Sequence, residues 1–167
     1  MRKTMEVLGL MLLGYLAWIT YSALNGPSRL PERIPTHFDI SGKPNAWGSP
    51  GFLWILPVVG LGLYVLMTAL ASIQFRRYNL PVRVTEVNLP FIQGKTSEMV
   101  AWIKTEILCL FVYIQSGIIH GVRNGEFRLS PAIVPAFMVA IFATAGFYLV
   151  MIIRGARMRL EQPEAAN

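Results

Sequence analysis

Two histidines and a few carboxylates are the side chains of this sequence that could bind a metal ion or transfer a proton. His37 lies close before Asp39, and His120 comes shortly before Glu126, both in polar segments that border apolar runs. Two histidines with one carboxylate form a known metal-ligand set. However, the sequence has no HExxH or CxxC motif and no dense histidine–cysteine cluster, so we predict neither a metal nor another cofactor. His37 is instead expected to hydrogen-bond Asp39 or the backbone.

The motifs that usually mark enzymes do not occur in this chain. There is no Walker loop, no GxSxG nucleophile elbow and no paired-carboxylate motif. Cys109 is the single cysteine, so no intrachain disulfide can form, and a thiol within an apolar run usually packs without reacting. We therefore predict a protein that is not an enzyme.

A polar stripe follows one face of the third apolar run. At about 100° per residue its members fall within an arc of about 100°, and they are Glu106, Cys109, Tyr113, Ser116, Gly117 and His120. In the first run an arc of about 80° holds Tyr15, Trp18, Ser22 and Asn25. If these faces meet, they form a polar, aromatic pocket under the loop that carries His37. The alternative is that they only form hydrogen bonds between helices.

Glu106 is the charge expected within the membrane. A charged side chain inside a span costs about 2.5 kcal/mol or more and usually marks function, unless it is shallow or paired. Because Lys104 lies close by, we expect a shallow, ion-paired Glu106, with Lys104 as an interfacial anchor. A deep Glu106 that faces a cavity is the alternative.

The elements that must position these residues are membrane helices. Of the 167 residues, 54% are hydrophobic and 14% are charged, where a soluble domain has about a quarter charged. Four apolar runs approach or exceed the ~20 residues that span a bilayer. They predict an all-α integral membrane protein with one domain over residues 1–167. Its expected parts are helix 1 at about 6–24, an outer loop at 25–50, helix 2 at about 51–75, an inner loop at 76–98, helix 3 at about 99–120, an outer turn at 121–130, helix 4 at about 131–153 and a tail at 154–167.

The basic residues are sorted by side, which predicts the orientation. With four helices, ten of the 15 basic residues fall on the side of the termini: Arg2, Lys3, Arg76, Arg77, Arg83, Lys95, Lys104, Arg154, Arg157 and Arg159. The positive-inside rule then places both termini in the cytoplasm. The net charge of +6 therefore reflects topology and contact with anionic lipid rather than nucleic-acid binding. We expect a multi-pass protein of a bacterial plasma membrane, with the first run retained as an anchor because it exceeds the core of a cleavable signal peptide.

The outer loop is the most polar part of the chain between two spans. Pro27, Pro31 and Pro35 exclude a helix, and the segment THFDIS alternates, which predicts a short strand with Thr36, Phe38 and Ile40 on one side. The segment GKPN predicts a turn, and Trp47 is expected at the membrane interface. The alternative is that this loop has no binding role and only covers the helix ends.

Small residues and prolines mark features of the helices. Ser130 is the expected N-cap of helix 4, with Pro131 at its first position, and Pro57 and Pro135 are expected to kink helices 2 and 4. A ridge of small residues follows helix 4 at every fourth position, and it consists of Ala132, Ala136, Ala140 and Thr144. The ridge predicts close packing within the molecule, or docking of a second copy or another membrane protein.

The loop sequence LPERIPTHFDISGKPNAWGSP between two apolar runs resembles the domain of unknown function 1648 family, the module that opens SdpI-type immunity proteins. The matching positions are Leu30, Pro31, Ile34, Pro35, Thr36, His37, Phe38, Gly42, Pro44, Trp47 and Gly48. Asn45 replaces a frequent aspartate, and Pro50 stands where lysine is common. The resemblance covers about residues 10–75. It implies kinship with proteins that protect a cell from a secreted hydrophobic peptide and relay its presence, although those proteins are longer and carry a further domain that we expect this chain to lack.

The leading functional prediction is that the outer loop and pocket bind a peptide or another amphipathic ligand, for immunity or sensing. The residues predicted to contact it are Pro35, Thr36, His37, Phe38, Asp39, Gly42, Trp47, Tyr15, Trp18, Tyr113, Ser116 and His120. Two alternatives remain, a small transporter that uses the polar face of helix 3 and an accessory subunit that docks through helix 4.

Overall fold

The computed structural model describes residues 1–27, 30–73, 79–125 and 129–161. Its elements are α1 (Arg2–Asn25), β1 (Ile34–Phe38), β2 (Pro44–Gly48), a 3₁₀ helix (Pro50–Trp54), α2 (Ile55–Ser72), α3 (Leu89–Asn124) and α4 (Ile133–Glu161). Four helices are long and apolar enough to cross a membrane, the 3₁₀ helix forming the start of the second span. The prediction of four helices of membrane-spanning length and apolarity and of a short strand is thus confirmed. We call the end of the bundle that carries β1 and β2 the hairpin end, and the opposite end the terminal end.

Helix α3 is the centre of the bundle, because it packs against each of the other three helices. Its 36 residues extend about 54 Å at about 1.5 Å per residue, well beyond the ~30 Å of hydrocarbon. It begins at Leu89 rather than near residue 99, so the predicted inner loop at 76–98 was too long. The charges of Lys95 and Glu98 suggested a loop, but they form an i,i+3 pair at 2.8 Å on the first turns of the helix.

Helix α4 also continues further than predicted, to Glu161 rather than residue 153. Its last turns are held by a core at the terminal end, in which Ile92 of α3 and Ile152 and Ala156 of α4 are buried. Val82 and Val84 cover this core. They belong to the segment VRVTEV, which has a bend at Val82 and a turn at its end and forms no strand.

Buried Asn88 fastens that segment to α4. Its amide nitrogen donates to the carbonyl oxygens of Arg83 at 2.9 Å and Ala156 at 3.3 Å, and its side-chain oxygen accepts from the backbone nitrogen of Thr85 at 2.9 Å. An amide with several partners can be buried without leaving an unsatisfied polar group. These hydrogen bonds thus fix the position at which the loop ends and α3 begins.

The prolines near the starts of α2 and α4 lie within or just before the first turn of each helix. Pro57 and Pro135 are each the third residue of their helix, and the kinks expected there stay predictions. Helix α4 begins at Ile133 and not at Pro131, because Ser130 and Pro131 form a turn in which the carbonyl oxygen of Ser130 accepts from Ile133 N at 3.2 Å.

The ridge of small residues on α4 does not pack within the molecule. Ala132, Ala136 and Ala140 are exposed, and Thr144 is half-buried. Helix α4 is also the least buried of the four spans. The expectation of intramolecular packing is therefore wrong for the alanines, because α3 meets a different face of α4.

Strands β1 and β2 form an antiparallel hairpin in which Ile34 pairs with Gly48 and Phe38 with Pro44, with irregular register between them. The second strand was not predicted. Thr36 and Phe38 are half-buried while His37 is exposed, as alternation predicts, but Ile40 is 97% exposed because it lies in the turn rather than in the strand.

The tip of the hairpin docks on the connection between α3 and α4. The N–H of Leu129 donates to the carbonyl oxygen of Gly42 at 3.2 Å. Gly42 has φ +77°, and a Cβ placed there would collide with the carbonyl oxygen of Leu129. The side chain of Leu129 in turn fills the space above Gly117 of α3. Both glycines are needed for this close approach, because a Cβ at either position would collide with Leu129.

Candidate functional site

The hairpin roofs a cavity of about 470 Å³, which we call the hairpin cavity. Its floor is α3, and its walls are the first turns of α2 and α4. The lining residues are mostly apolar: Ile34, Pro35, Thr36, His37, Phe38, Asp39, Ile40, Gly42, Phe52, Leu53, Ile55, Leu56, Ile114, Gln115, Ile118, Leu129, Ser130, Pro131, Val134 and Pro135. This size lies within the roughly 300–1,000 Å³ of small-molecule sites.

The floor of the hairpin cavity is built on the hydrophobic core of this end. Ala23, Ile34, Leu53, Ile118 and Ile119 are buried together, which joins α1, the hairpin, the 3₁₀ helix and α3. Large apolar side chains that remain half-exposed on the walls belong to helix faces that a bilayer would cover. The cavity is thus bounded by a buried floor and by helix faces with exposed apolar side chains.

Gln115 is the buried polar residue of that floor. Its amide nitrogen donates to the hydroxyl of Thr20 at 2.7 Å and to the carbonyl oxygen of Leu53 at 2.8 Å, and Thr20 donates to the carbonyl oxygen of Leu16 at 2.8 Å. Two helices and the 3₁₀ helix are therefore joined by one side chain. The sequence shows Gln115 only as a polar exception on an apolar face, and its bonding partners were not foreseen.

The polar edge of the cavity is the hairpin itself. His37 Nδ1 lies 2.5 Å from Asn45 Oδ1 across the two strands, so the expected bond from His37 to Asp39 is wrong. Asp39 instead organises the turn, because its Oδ1 accepts from Ser41 N at 2.8 Å, Ser41 Oγ at 2.7 Å and Lys43 N at 3.0 Å. The bond from the Ser41 hydroxyl, with help from the Lys43 backbone, lowers the pKa of Asp39 below its usual value. Asp39 is therefore a turn-forming carboxylate.

A second depression lies between the hairpin-end halves of α1 and α3, and we call it the interhelical groove. It encloses about 340 Å³ and is lined by Tyr15, Trp18, Ile19, Ser22, Ser116, Ile119, His120, Arg123 and Asn124. The rings of Tyr15 and Trp18 lie 5.8 Å apart and tilted by 32°. The amide nitrogen of Asn124 lies 3.0 Å from each ring nitrogen of His120.

The residues predicted to form one pocket are thus divided between two sides of α3. Six of them line the hairpin cavity: Pro35, Thr36, His37, Phe38, Asp39 and Gly42. Four others line the interhelical groove: Tyr15, Trp18, Ser116 and His120. The remaining two line neither space, since Trp47 lies on β2 and the hydroxyl of Tyr113 accepts from Ser130 N at 3.0 Å. His37 and His120 therefore do not share a site, and within the described ranges no three potential metal ligands come together.

The charged residue buried inside the bundle is Lys104. It is 1% exposed, and its Nζ lies 2.5 Å from Glu6 Oε2 on α1 and 2.6 Å from Thr68 Oγ1 on α2. The hydroxyl of Tyr64 donates to the same carboxylate oxygen at 2.8 Å, and the Lys104 ammonium lies 4.0 Å from the ring centroid of Tyr64. The interpretation of Lys104 as an interfacial anchor is therefore wrong.

Glu106 is not the partner of Lys104 as predicted. Its Oε1 accepts from the hydroxyl of Thr144 on α4 at 2.6 Å, and its Oε2 is buried with no partner among the described residues. Two residues along a helix point about 200° apart, so Lys104 faces α1 and α2 while Glu106 faces α4. Glu106 lines neither cavity.

Sequence reasoning missed Glu6 because it lies just before the first apolar run and seemed to belong to the polar start of the chain. A signal was available, since Glu6 is the only acidic residue in the first 25 positions. A lone carboxylate beside one span and a lone lysine in another indicate a pair, because an unpaired charge in a bilayer is costly.

Comparison with known proteins finds a family match that includes the hairpin. Residues 7–61 match the sequence profile of the Domain of unknown function (DUF1648), a range that covers most of α1, the hairpin and the start of α2. An uncharacterized protein of Archaeoglobus fulgidus is 29% identical, over 68% of this chain and 69% of its own length. No solved structure matches the chain significantly. Residues 7–61 therefore match the family that the loop signature predicts.

Proposed function

We propose that this protein binds an amphipathic ligand at the membrane, with the apolar part of the ligand in the hairpin cavity. The observation that carries the proposal is the cavity itself, which is largely apolar, roofed by the DUF1648 hairpin and bordered by exposed apolar side chains of two spans. Apolar surface buried on binding contributes about 25 cal/mol per Å². Such a site favours a hydrophobic tail and offers His37 and Asp39 at its rim to a polar head.

The same proposal includes an orientation and a compartment. With the hairpin end outside and both termini in the cytoplasm of a bacterial cell, the basic residues follow the positive-inside rule. A ligand from the outer medium or the outer leaflet then reaches the cavity directly. The orientation would be refuted if a reporter enzyme that works only in the cytoplasm were active when fused after residue 45.

Binding at that face would serve protection from, or sensing of, a secreted amphipathic peptide. The transporter alternative has less support, since Glu106 lines neither cavity. An accessory role is favoured by one observation, the exposed alanines of α4, which suit a second copy or a membrane partner. Recovery of the protein as a lone monomer in mild detergent would count against that role.

Filling the cavity tests the binding proposal. Val134 lies in its α4 wall, whereas Val139 on the same helix is 69% exposed and outside the cavity. We expect a diazirine-labelled fatty acid to crosslink Leu56 or Ile114 saturably, and Val134→Trp to reduce this labelling about tenfold, which corresponds to about 1.4 kcal/mol. Val139→Trp is the matched control and should label like the wild type.

Two results would overturn the proposal. One is labelling of the cavity residues that rises linearly with probe and never saturates, as it would for ordinary lipid-facing positions. The other is an equal effect of the two tryptophan variants.

A further inference from the structure

The interhelical groove combines one cation with hydroxyl, amide and aromatic groups, a mixture different from the apolar hairpin cavity. Among the described lining residues, Arg123 alone has a permanent charge and none is a carboxylate. Ser22 and Ser116 add hydroxyls from α1 and α3, and Asn124 adds an amide. All of these are groups that donate hydrogen bonds, so the groove is complementary to an anion.

Arg123 is available for such a ligand. Among the described residues the ion pairs are Lys95–Glu98 and Glu6–Lys104, and Arg123 belongs to neither. Its side chain is exposed at the last turn of α3. A planar guanidinium with five donors binds phosphate oxygens in pairs, which makes arginine especially suited to phosphate.

The position of the groove along the span identifies the kind of anion. Tyr15 and Trp18 form one wall, both exposed, and these two residue types concentrate at the level of the lipid head groups. Ile19 and buried Ile119 continue the wall into the bundle. A phosphate beside Arg123 would therefore carry its acyl chains along the aromatic rings and isoleucines, as in a lipid of the adjoining leaflet.

We propose that the interhelical groove is a binding site for the head group of an anionic phospholipid. A zwitterionic lipid fits less well, because its ammonium group would lie near the Arg123 charge and would find no carboxylate among the described lining residues. The inference does not depend on the hairpin cavity, since the two sites lie on different faces of α3 and share no lining residue.

The test uses the fluorescence of Trp18, which lines the groove. The full chain is reconstituted in phosphatidylcholine vesicles that contain a small fraction of brominated phosphatidylglycerol or, separately, brominated phosphatidylcholine. The Trp18 signal is the difference between the wild type and Trp18→Phe. We expect brominated phosphatidylglycerol to quench it at a membrane fraction about tenfold lower than brominated phosphatidylcholine.

Substitution of the cation should remove that preference. We expect Arg123→Gln to weaken quenching by phosphatidylglycerol about tenfold, because a hydrogen bond to a charged group contributes about 1.5–3 kcal/mol and about 1.4 kcal/mol is tenfold. Arg33→Gln is the matched control, an exposed arginine that does not line the groove, and should keep the preference. Unchanged circular dichroism of each variant shows that the helices remain folded.

Three outcomes would overturn the proposal. Equal quenching by the two lipids would show that the groove contacts bulk lipid only, and an unchanged preference in Arg123→Gln would remove the phosphate contact. Reversal of the quenching by inorganic phosphate at the same concentration as the lipid would indicate a site for a soluble anion instead.

Discussion

Replacing either partner of the Glu6–Lys104 pair should destabilise the bundle, and the two losses should differ. The pair joins three helices, because Lys104 of α3 reaches Glu6 of α1 and Thr68 of α2. The Lys104 side chain is 1% exposed, whereas the Glu6 side chain is 21% exposed. The charge that remains after a substitution is therefore more costly when it is the lysine.

The magnitude follows from that difference in burial. Removing one partner of a buried ion pair costs about 3–5 kcal/mol, because an uncompensated charge stays behind. Lys104→Met leaves Glu6, which keeps some water and its bond from Tyr64, so we expect a loss near 3 kcal/mol. Glu6→Gln leaves a buried ammonium without its carboxylate, and we expect a loss near 5 kcal/mol.

The double variant measures the interaction itself. In Glu6→Gln/Lys104→Met no charge remains, and the replacement of a buried ion pair by neutral groups of similar volume is often close to neutral. We therefore expect the double variant to be more stable than Glu6→Gln alone, which requires a coupling energy above about 3 kcal/mol, because single losses of about 3 and 5 kcal/mol would otherwise add to about 8 kcal/mol. Lys95→Met is the control, since its pair with Glu98 is 29% and 24% exposed and should be worth under about 1 kcal/mol.

Reversible unfolding of the purified chain in mixed detergent and sodium dodecyl sulfate micelles, followed by circular dichroism, gives these free energies. If the losses of the two single variants simply add in the double variant, the pair is not an energetic unit. If Lys104→Met costs more than Glu6→Gln, burial of the ammonium is not the deciding term. Either result would refute the reasoning.

Two further predictions concern the hairpin. Gly42→Ala at φ +77° should destabilise the protein and speed hydrogen exchange in the hairpin, since the new Cβ would meet the Leu129 carbonyl. Gly125→Ala at the end of α3 is the comparison and should cost only about 1–2 kcal/mol, because Gly125 has φ +73° in open space; equal effects of the two variants would show that the hairpin tip is not docked. Because the folded pKa of Asp39 is lowered, the stabilisation of the turn is complete above the unfolded pKa and is lost as pH falls through the folded value. The Ser41 amide resonance should therefore titrate with a midpoint below the ordinary 3.8 and should not titrate in Asp39→Asn, whereas a midpoint at or above 3.8 would contradict the hydrogen bonds of the turn.

The sequence predicts the helices well because composition alone decides which segments enter a bilayer. The predicted helix bounds are least accurate at the terminal end of the bundle. There α3 and α4 continue past the predicted spans and include charged residues such as Lys95 and Arg157. A hydropathy pattern marks the thickness of the hydrocarbon and not the length of the helix. The early start of α3 depends on Asn88, whose hydrogen bonds to a distant helix are not encoded in local spacing.

The candidate site was predicted in its parts and not in its arrangement. Helical periodicity correctly brings Trp18 of α1 and His120 of α3 to the same groove. Periodicity shows which residues share a face of one helix, however, and does not show which neighbouring helix that face contacts. His37 was placed above that groove, whereas the docking of Gly42 on Leu129 carries the hairpin to the other side of α3.

The buried polar groups also indicate which part of the bundle can respond to a ligand. Lys104 holds α3 to α1 and α2 near the terminal end, and Gln115 holds it to α1 and the 3₁₀ helix near the hairpin end. If α3 slid or rotated, Lys104 and Gln115 would lose their partners in an apolar environment, where unsatisfied polar atoms cost several kcal/mol. Among the described residues, α4 has no buried polar bond of this kind in its hairpin-end half. It is the least buried span, its hydroxyl–carboxylate bond from Thr144 lies toward the middle, and the bond from Ser130 N to Tyr113 just before it is exposed. Because the first turn of α4 is also a wall of the hairpin cavity, we expect ligand binding to move α4 and the hairpin tip against a fixed α1–α2–α3 unit.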